Sequence, residues 1–165
     1  MFALGIDPGL SRCGYGAVRG AGSDLECAAF GHLTTPTDLP LAERLGILQR
    51  DLEELLDDLR PEVVVVERVL FQVNARTAMS VGQASGLALA SSARRGIPVV
   101  QYSPNEVKLA VAGYGSADKV AVQSMVAMLL GLPSPPRPAD RADALALAVT
   151  HLAGVGLRVA GSALR

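Results

Sequence analysis

Met1-Phe2-Ala3-Leu4-Gly5-Ile6-Asp7-Pro8-Gly9-Leu10-Ser11 opens the chain. An apolar run closed by an acid, a proline and a glycine has the punctuation of a strand entering a tight turn. Residues 14–19 resume a strand pattern, and after Gly20-Ala21-Gly22-Ser23-Asp24 residues 25–35 supply a third. Turns this short join antiparallel neighbours. Thr34-Thr35-Pro36-Thr37 ends that pattern. Leu41, Leu45, Leu48, Leu52, Leu55, Leu56 and Leu59 then lay an amphipathic helix over residues 41–59. Past Pro61, Val63-Val64-Val65-Val66-Glu67 is a continuous β-branched run, typical of a strand covered on both faces.

The remainder alternates in the same way. Residues 75–95 are alanine-rich and helical, with Gly82 and Gly86 one turn apart, a spacing that permits close packing against another helix or a partner subunit. Residues 97–102 form a further strand. Ser103-Pro104-Asn105-Glu106 starts a short helix to 112, and the loop Gly113-Tyr114-Gly115-Ser116 leads to a helix over 118–130. A proline-rich link, 133–138, precedes a last helix over 139–152. The order β-β-β-α-β-α-β-α-α-α predicts one α/β domain over residues 1–154. Its five-stranded mixed sheet has three antiparallel strands followed by parallel β-α units, flanked by helices. The Gly-rich end, 155–165, reads as a flexible tail.

Composition narrows the class. Half of the 165 residues are apolar, enough for one core. No apolar stretch approaches the ~18 residues a membrane span requires. The chain starts directly on a strand pattern without a basic leader, so a cytoplasmic location is expected. Cys13 and Cys27 lack metal-ligand spacing and read as buried free thiols in a reducing compartment. A net charge of -1 gives no global attraction to nucleic acid. The charges are uneven, however. Asp51, Glu53, Glu54, Asp57, Asp58 and Glu62 crowd one helix and its exit, a solvated face. Arg12, Arg68, Arg76, Arg137 and Arg141 flank the special acids, and Lys108 and Lys119 bracket the glycine loop.

Four acids stand apart from that solvated set. Asp7 and Glu67 each close a buried-looking strand. Asp140 and Asp143 open the apolar pattern Ala139-Asp140-Arg141-Ala142-Asp143-Ala144-Leu145-Ala146 and share a helix face. Ionised carboxylates at a core boundary are costly unless paired. Acids brought together from three boundaries raise one another's pKa without a cation. All-oxygen ligands select hard ions such as Mg²⁺ or Mn²⁺. Two such ions about 3.5–4 Å apart can activate a water and stabilise the leaving oxygen of a phosphodiester. Ordinary readings exist for each acid alone: a turn residue at Asp7, a solvated strand end at Glu67, an N-cap at Asp140. They do not account for Asp143, one turn inside an apolar helix.

The chain resembles the RuvC family of Holliday junction resolvases over essentially its whole length. The resemblance rests on Leu4-Gly5-Ile6-Asp7-Pro8-Gly9, Val66-Glu67-Arg68-Val69, Val81-Gly82-Gln83-Ala84-Ser85-Gly86, Gly113-Tyr114-Gly115-Ser116-Ala117-Asp118-Lys119 and the Asp140/Asp143 helix start, in order. It implies an RNase H-like fold and a homodimer that nicks like-polarity strands of four-way DNA junctions with Mg²⁺. It also implies work alongside the RuvA–RuvB branch-migration machine. The family's four catalytic, metal-binding carboxylates fall on Asp7, Glu67, Asp140 and Asp143, and its two phosphate-contacting lysines on Lys108 and Lys119. Arg12, Arg76 and Phe71 join these as expected DNA contacts. One departure stands out: the family often has an aromatic three residues after the glutamate, where this chain has Leu70, with Phe71 beside it. Phe71 can stack on a base or anchor the loop. Two other readings are a YqgF-like RNA-processing nuclease of the same superfamily, and a non-catalytic junction-binding scaffold.

Overall fold

A computed structural model describes the backbone of residues 1–69 and 75–162, with side chains at 1–69 and 78–154. Strands β1 (Phe2–Asp7), β2 (Arg12–Ala21) and β3 (Asp24–Thr34) are followed by α1 (Leu41–Leu59), β4 (Val63–Glu67), α2 (Ala75–Arg94) and β5 (Val99–Tyr102). Helices α3 (Pro104–Ala112), α4 (Lys119–Leu129) and α5 (Ala139–Ser162) complete the chain. The sheet order is β3-β2-β1-β4-β5. The first three strands are antiparallel, and β4 and β5 run parallel to β1, as the sequence predicts.

Each face of the sheet has its own core. On one, Phe2, Leu4, Ile6, Val64 and Val66 meet the α1 stripe Leu48, Leu52 and Leu56 and the small residues Ala84 and Ala88 of α2. Opposite, Ala3, Val18, Val63 and Val65 meet α5, with Val107 and Val111 of α3 and Val122 and Val126 of α4 around it. Strand residues alternate between the faces. Central β1 and β4 are therefore buried on both sides, which explains their unbroken apolar runs.

Helix boundaries follow expectation at the start of α3 and depart from it at the end of α5. Helix α3 begins at Pro104, because Ser103 and Glu106 form a reciprocal cap: the Ser103 hydroxyl accepts from the Glu106 N–H, and the Glu106 carboxylate accepts from the Ser103 N–H at 2.7 Å. Helix α5 runs on to Ser162 instead of stopping at 152. Its late glycines each cost about 1 kcal/mol relative to alanine, but no proline intervenes to stop the helix. Cys13 is buried and Cys27 only half-buried, both as free thiols. A Cβ built at Gly82 or Gly86 would meet nothing among the described residues, so neither glycine is needed for packing against them. No helix among the described residues is long and apolar enough to cross a membrane.

Candidate active site

Alternation along two neighbouring strands places the first two acids. Ala3 and Gly5 of β1 face α5, so Asp7 does as well. Val63 and Val65 of β4 carry Glu67 to the same side. The parallel register pairs Gly5 with Val65 and Ile6 with Val66, which sets the two carboxyl ends next to each other. Ligands gather at such strand ends in β-α folds.

Helix α5 brings the other two acids by an unusually close approach. Across β2, Gly14 pairs with Asp7 and Gly16 with Gly5. A methyl group at Gly5 would overlap the Ala144 carbonyl, one at Gly14 the Asp140 carbonyl, and one at Gly16 the Leu145 backbone. These bare positions form a floor on which the first turns of α5 lie directly against the sheet. Asp140 belongs to the first helical turn, with Ala139 before it, so the N-cap reading of Asp140 is corrected.

Asp7, Glu67, Asp143, Lys108 and Lys119 line one cavity of about 320 Å³, walled by Val107, Val122 and Leu147. Asp143 is gripped from α4 on both oxygens. Gln123 Nε2 donates to Oδ1 at 3.0 Å, and Lys119 Nζ pairs with Oδ2 at 2.5 Å. Asp140 sits beside the cavity rather than in its lining. Its Oδ1 pairs with Arg12 at 3.5 Å, and its Oδ2 is buried with no hydrogen-bond partner among the described residues.

The electrostatics follow from this crowding. Burial, then the charges of Asp143 and Glu67, push Asp7 up to about 7; Lys119 opposes them and Asp140 adds to them. Glu67 is raised by burial and by Asp143, with Lys119 again opposing. Burial works to lower Lys119, but its hydrogen bond to Asp143 and the surrounding acids outweigh it and hold the ammonium above its ordinary value. Lys119 is thus the countercharge of the cluster as it stands.

Much of the expected basic rim is engaged within the chain. Arg12 holds Asp140, Arg141 Nε donates to His32 Nδ1 at 3.0 Å, and Arg68 lies 3.9 Å from Glu106. Arg76 is in the first turn of α2 with its side chain outside the described residues, where Leu70 and Phe71 also fall. Gln123 was absent from the sequence expectations. Its signal was a polar residue on the α4 stripe of Val122 and Val126, one turn after Lys119; in the structure it is 3% exposed.

The donor set fits a hard divalent cation. The convergent donors are carboxylate oxygens, a further buried oxygen beside them (Asp140 Oδ2) is orphaned, and burial, reinforced by the neighbouring acids, already favours a proton on Asp7. Among the described residues, no three acid, histidine or cysteine side chains close around a single point tightly enough to hold a metal as they stand. Like charges keep their distance without a cation shared among them, so holding one would bring the carboxylate side chains closer together.

Comparison with known proteins gives the family. Residues 3–151 match the family model described as crossover junction endodeoxyribonuclease RuvC. A Streptomyces avermitilis protein of that description is 52% identical over 153 residues, 92% of this chain and 87% of the relative. One from Thermobifida fusca is 52% identical over 92% of this chain and 84% of its own length. The solved structure of T. thermophilus RuvC in complex with Holliday junction substrate is 38% identical and superposes with a TM-score of 0.89 over 96% of both chains. The chain belongs to the RuvC family of crossover junction endodeoxyribonucleases, and its fold is that family's RNase H-like fold.

Proposed function

We propose that this chain resolves Holliday junctions in the cytoplasm by nicking two like-polarity strands symmetrically, as a Mg²⁺-dependent homodimer. The observation that carries the reading is one cavity joining Asp7, Glu67 and Asp143 to Lys108 and Lys119, on a chain that matches the nuclease family from residue 3 to 151. Asp7, Glu67, Asp140 and Asp143 would hold the divalent ions. Bound there, the ions supply Lewis acidity for water attack on a phosphodiester. The residues do the rest. Asp7 and Glu67, on rigid strand ends, fix the cation side of the scissile phosphate, while Asp140 and Asp143 close it from the helix. Lys108 and Lys119 hold phosphate oxygens by charge, which positions the strand without reading its bases. The apolar walls limit water around the reacting group and strengthen each charge interaction.

Symmetric cutting requires two such sites facing paired strands, and hence a dimer. The open surface at Gly82 and Gly86 supports α2 as the contact between copies. Coupling to the RuvA–RuvB machine would deliver mobile junctions to that dimer. The test is cleavage-site mapping on a mobile four-way junction in Mg²⁺ and in Mn²⁺, with light scattering of the same sample. Paired nicks at matching positions from a dimer are expected. Preferential cutting of structured RNA, or full activity from a monomer, would overturn the reading.

A further inference from the structure

We propose that Gln123 is a positioning residue for the reaction: its buried amide fixes one oxygen of Asp143 so that the other faces the cavity, where Lys119 keeps the place a cation takes. The inference rests on the metal-dependent reading above and names the device that prepares one of its ligands. Three observations carry it. Gln123 Nε2 donates to Asp143 Oδ1 at 3.0 Å, and the opposite oxygen, Oδ2, is the one Lys119 holds. Gln123 is 3% exposed, so little water is available to replace a lost amide N–H. The Lys119 side chain is 64% exposed, so a path to solvent is open to its ammonium when it leaves Asp143.

The two grips therefore differ in kind. A neutral amide packed between helices holds a carboxylate in one rotamer whether or not it is metallated, because it neither competes for charge nor moves. A mobile ammonium satisfies the same carboxylate only until a stronger cation arrives, and is then released beside the phosphate-binding side of the cavity. Hydrogen-bond partners that orient a ligand are commonly worth about 10–100-fold in metal affinity. Removing Gln123 should cost affinity, whereas removing the Lys119 charge should raise it. Opposite signs from two residues on one carboxylate are not what general damage to α4 would produce.

The experiment measures Mn²⁺ binding to the DNA-free protein by electron paramagnetic resonance, in wild type, Gln123→Met, Lys119→Met and Asp143→Asn. Mg²⁺ dependence of junction nicking and junction affinity in chelator are measured in parallel. Gln123→Met should weaken Mn²⁺ binding by about 10–100-fold and shift the half-saturating Mg²⁺ for nicking upward by a similar factor, with junction affinity in chelator unchanged. Lys119→Met should bind Mn²⁺ more tightly than wild type. If Gln123→Met does not fold, Gln123→Asn, one methylene short of Asp143, must move the metal affinity in the same direction. Unchanged Mn²⁺ binding in a folded Gln123 variant, or weakening in the Lys119 variant, would overturn the proposal while leaving the nuclease reading intact. Unchanged Mn²⁺ binding and nicking in Asp143→Asn would sink both.

Discussion

The two faces of the sheet are covered by helices that solve the same packing problem in different ways. Towards α1 and α2 the contact is made by bulk: Leu48, Leu52 and Leu56 fill against Leu4, Ile6, Val64 and Val66. Beyond that core, Arg95 clasps Asp57 with two hydrogen bonds of 2.7 and 2.8 Å. Towards α5 the strands withdraw their side chains at Gly5, Gly14 and Gly16, and the space gained admits backbone and charge. One face is built for cohesion. The other, with a core of its own, leaves bare positions at one end to hold acids where a core would not otherwise accept them. The difference shows how one five-stranded sheet can be scaffold and reaction site together, because alternation keeps the two tasks on opposite sides.

If that division of labour holds, changes to the α5 face should affect reactivity and changes to the α1/α2 face should affect stability. The largest effect is expected for Asp7→Asn. Single-turnover nicking should fall by more than about 10³-fold, over ~4 kcal/mol in barrier, with junction affinity in chelator retained. A comparable nicking rate in the variant would break the comparison at its centre. On the other face, Leu52→Ala should cost about 2–5 kcal/mol in urea unfolding, with nicking per folded molecule unaltered. Loss of activity in the folded fraction would show that the faces are coupled.

A third test sharpens the cost of the acid cluster. Asp7 titrates near 7 in the fold, above its ordinary 3.8. Between those values the folded protein binds the proton that the unfolded chain has lost, so this group's contribution makes the metal-free protein less stable as pH rises from about 4 to about 7. Relative to Asp7→Asn, wild type in chelator should lose on the order of 2–4 kcal/mol across that window. Parallel stability profiles for the two proteins would contradict the crowding described here. The smallest effect is expected for Lys119→Ala, with about tenfold weaker junction binding and a salt-dependence slope reduced by about 1. An unaltered slope would take Lys119 off the DNA side of the cavity.

Much of this was legible in the chain. Continuous apolar runs marked β1 and β4, the leucine period marked α1, and an acid closing each run pointed to strand ends that face one another. The spacing of Asp140 and Asp143 placed them on one helical face. What stayed hidden depends on partners distant in sequence. A glycine at position 14 reads as a weak strand residue until α5 is seen lying over it. Arg12, Arg68 and Arg141 read as a basic rim, yet the fold gives them Asp140, Glu106 and His32 as neighbours, and a charge pattern carries no record of which charge it meets. Gln123 needed the register between α4 and α5 before its amide had any meaning. The extension of α5 to Ser162 is the converse case: its glycines look like a stop but only lower helix preference.

The bare floor beneath α5 has a directional consequence for how the site can change under mutation. Helix and sheet already meet backbone to backbone at Gly5, Gly14 and Gly16, the smallest separation that side-chain size allows. Every substitution at these positions adds atoms, so each can only lift the helix and carry Asp140 and Asp143 away from Asp7 and Glu67. Drift at the floor is one-way: it opens the site and never tightens it. Three residues without a functional group therefore set the lower limit on the distance between the acids.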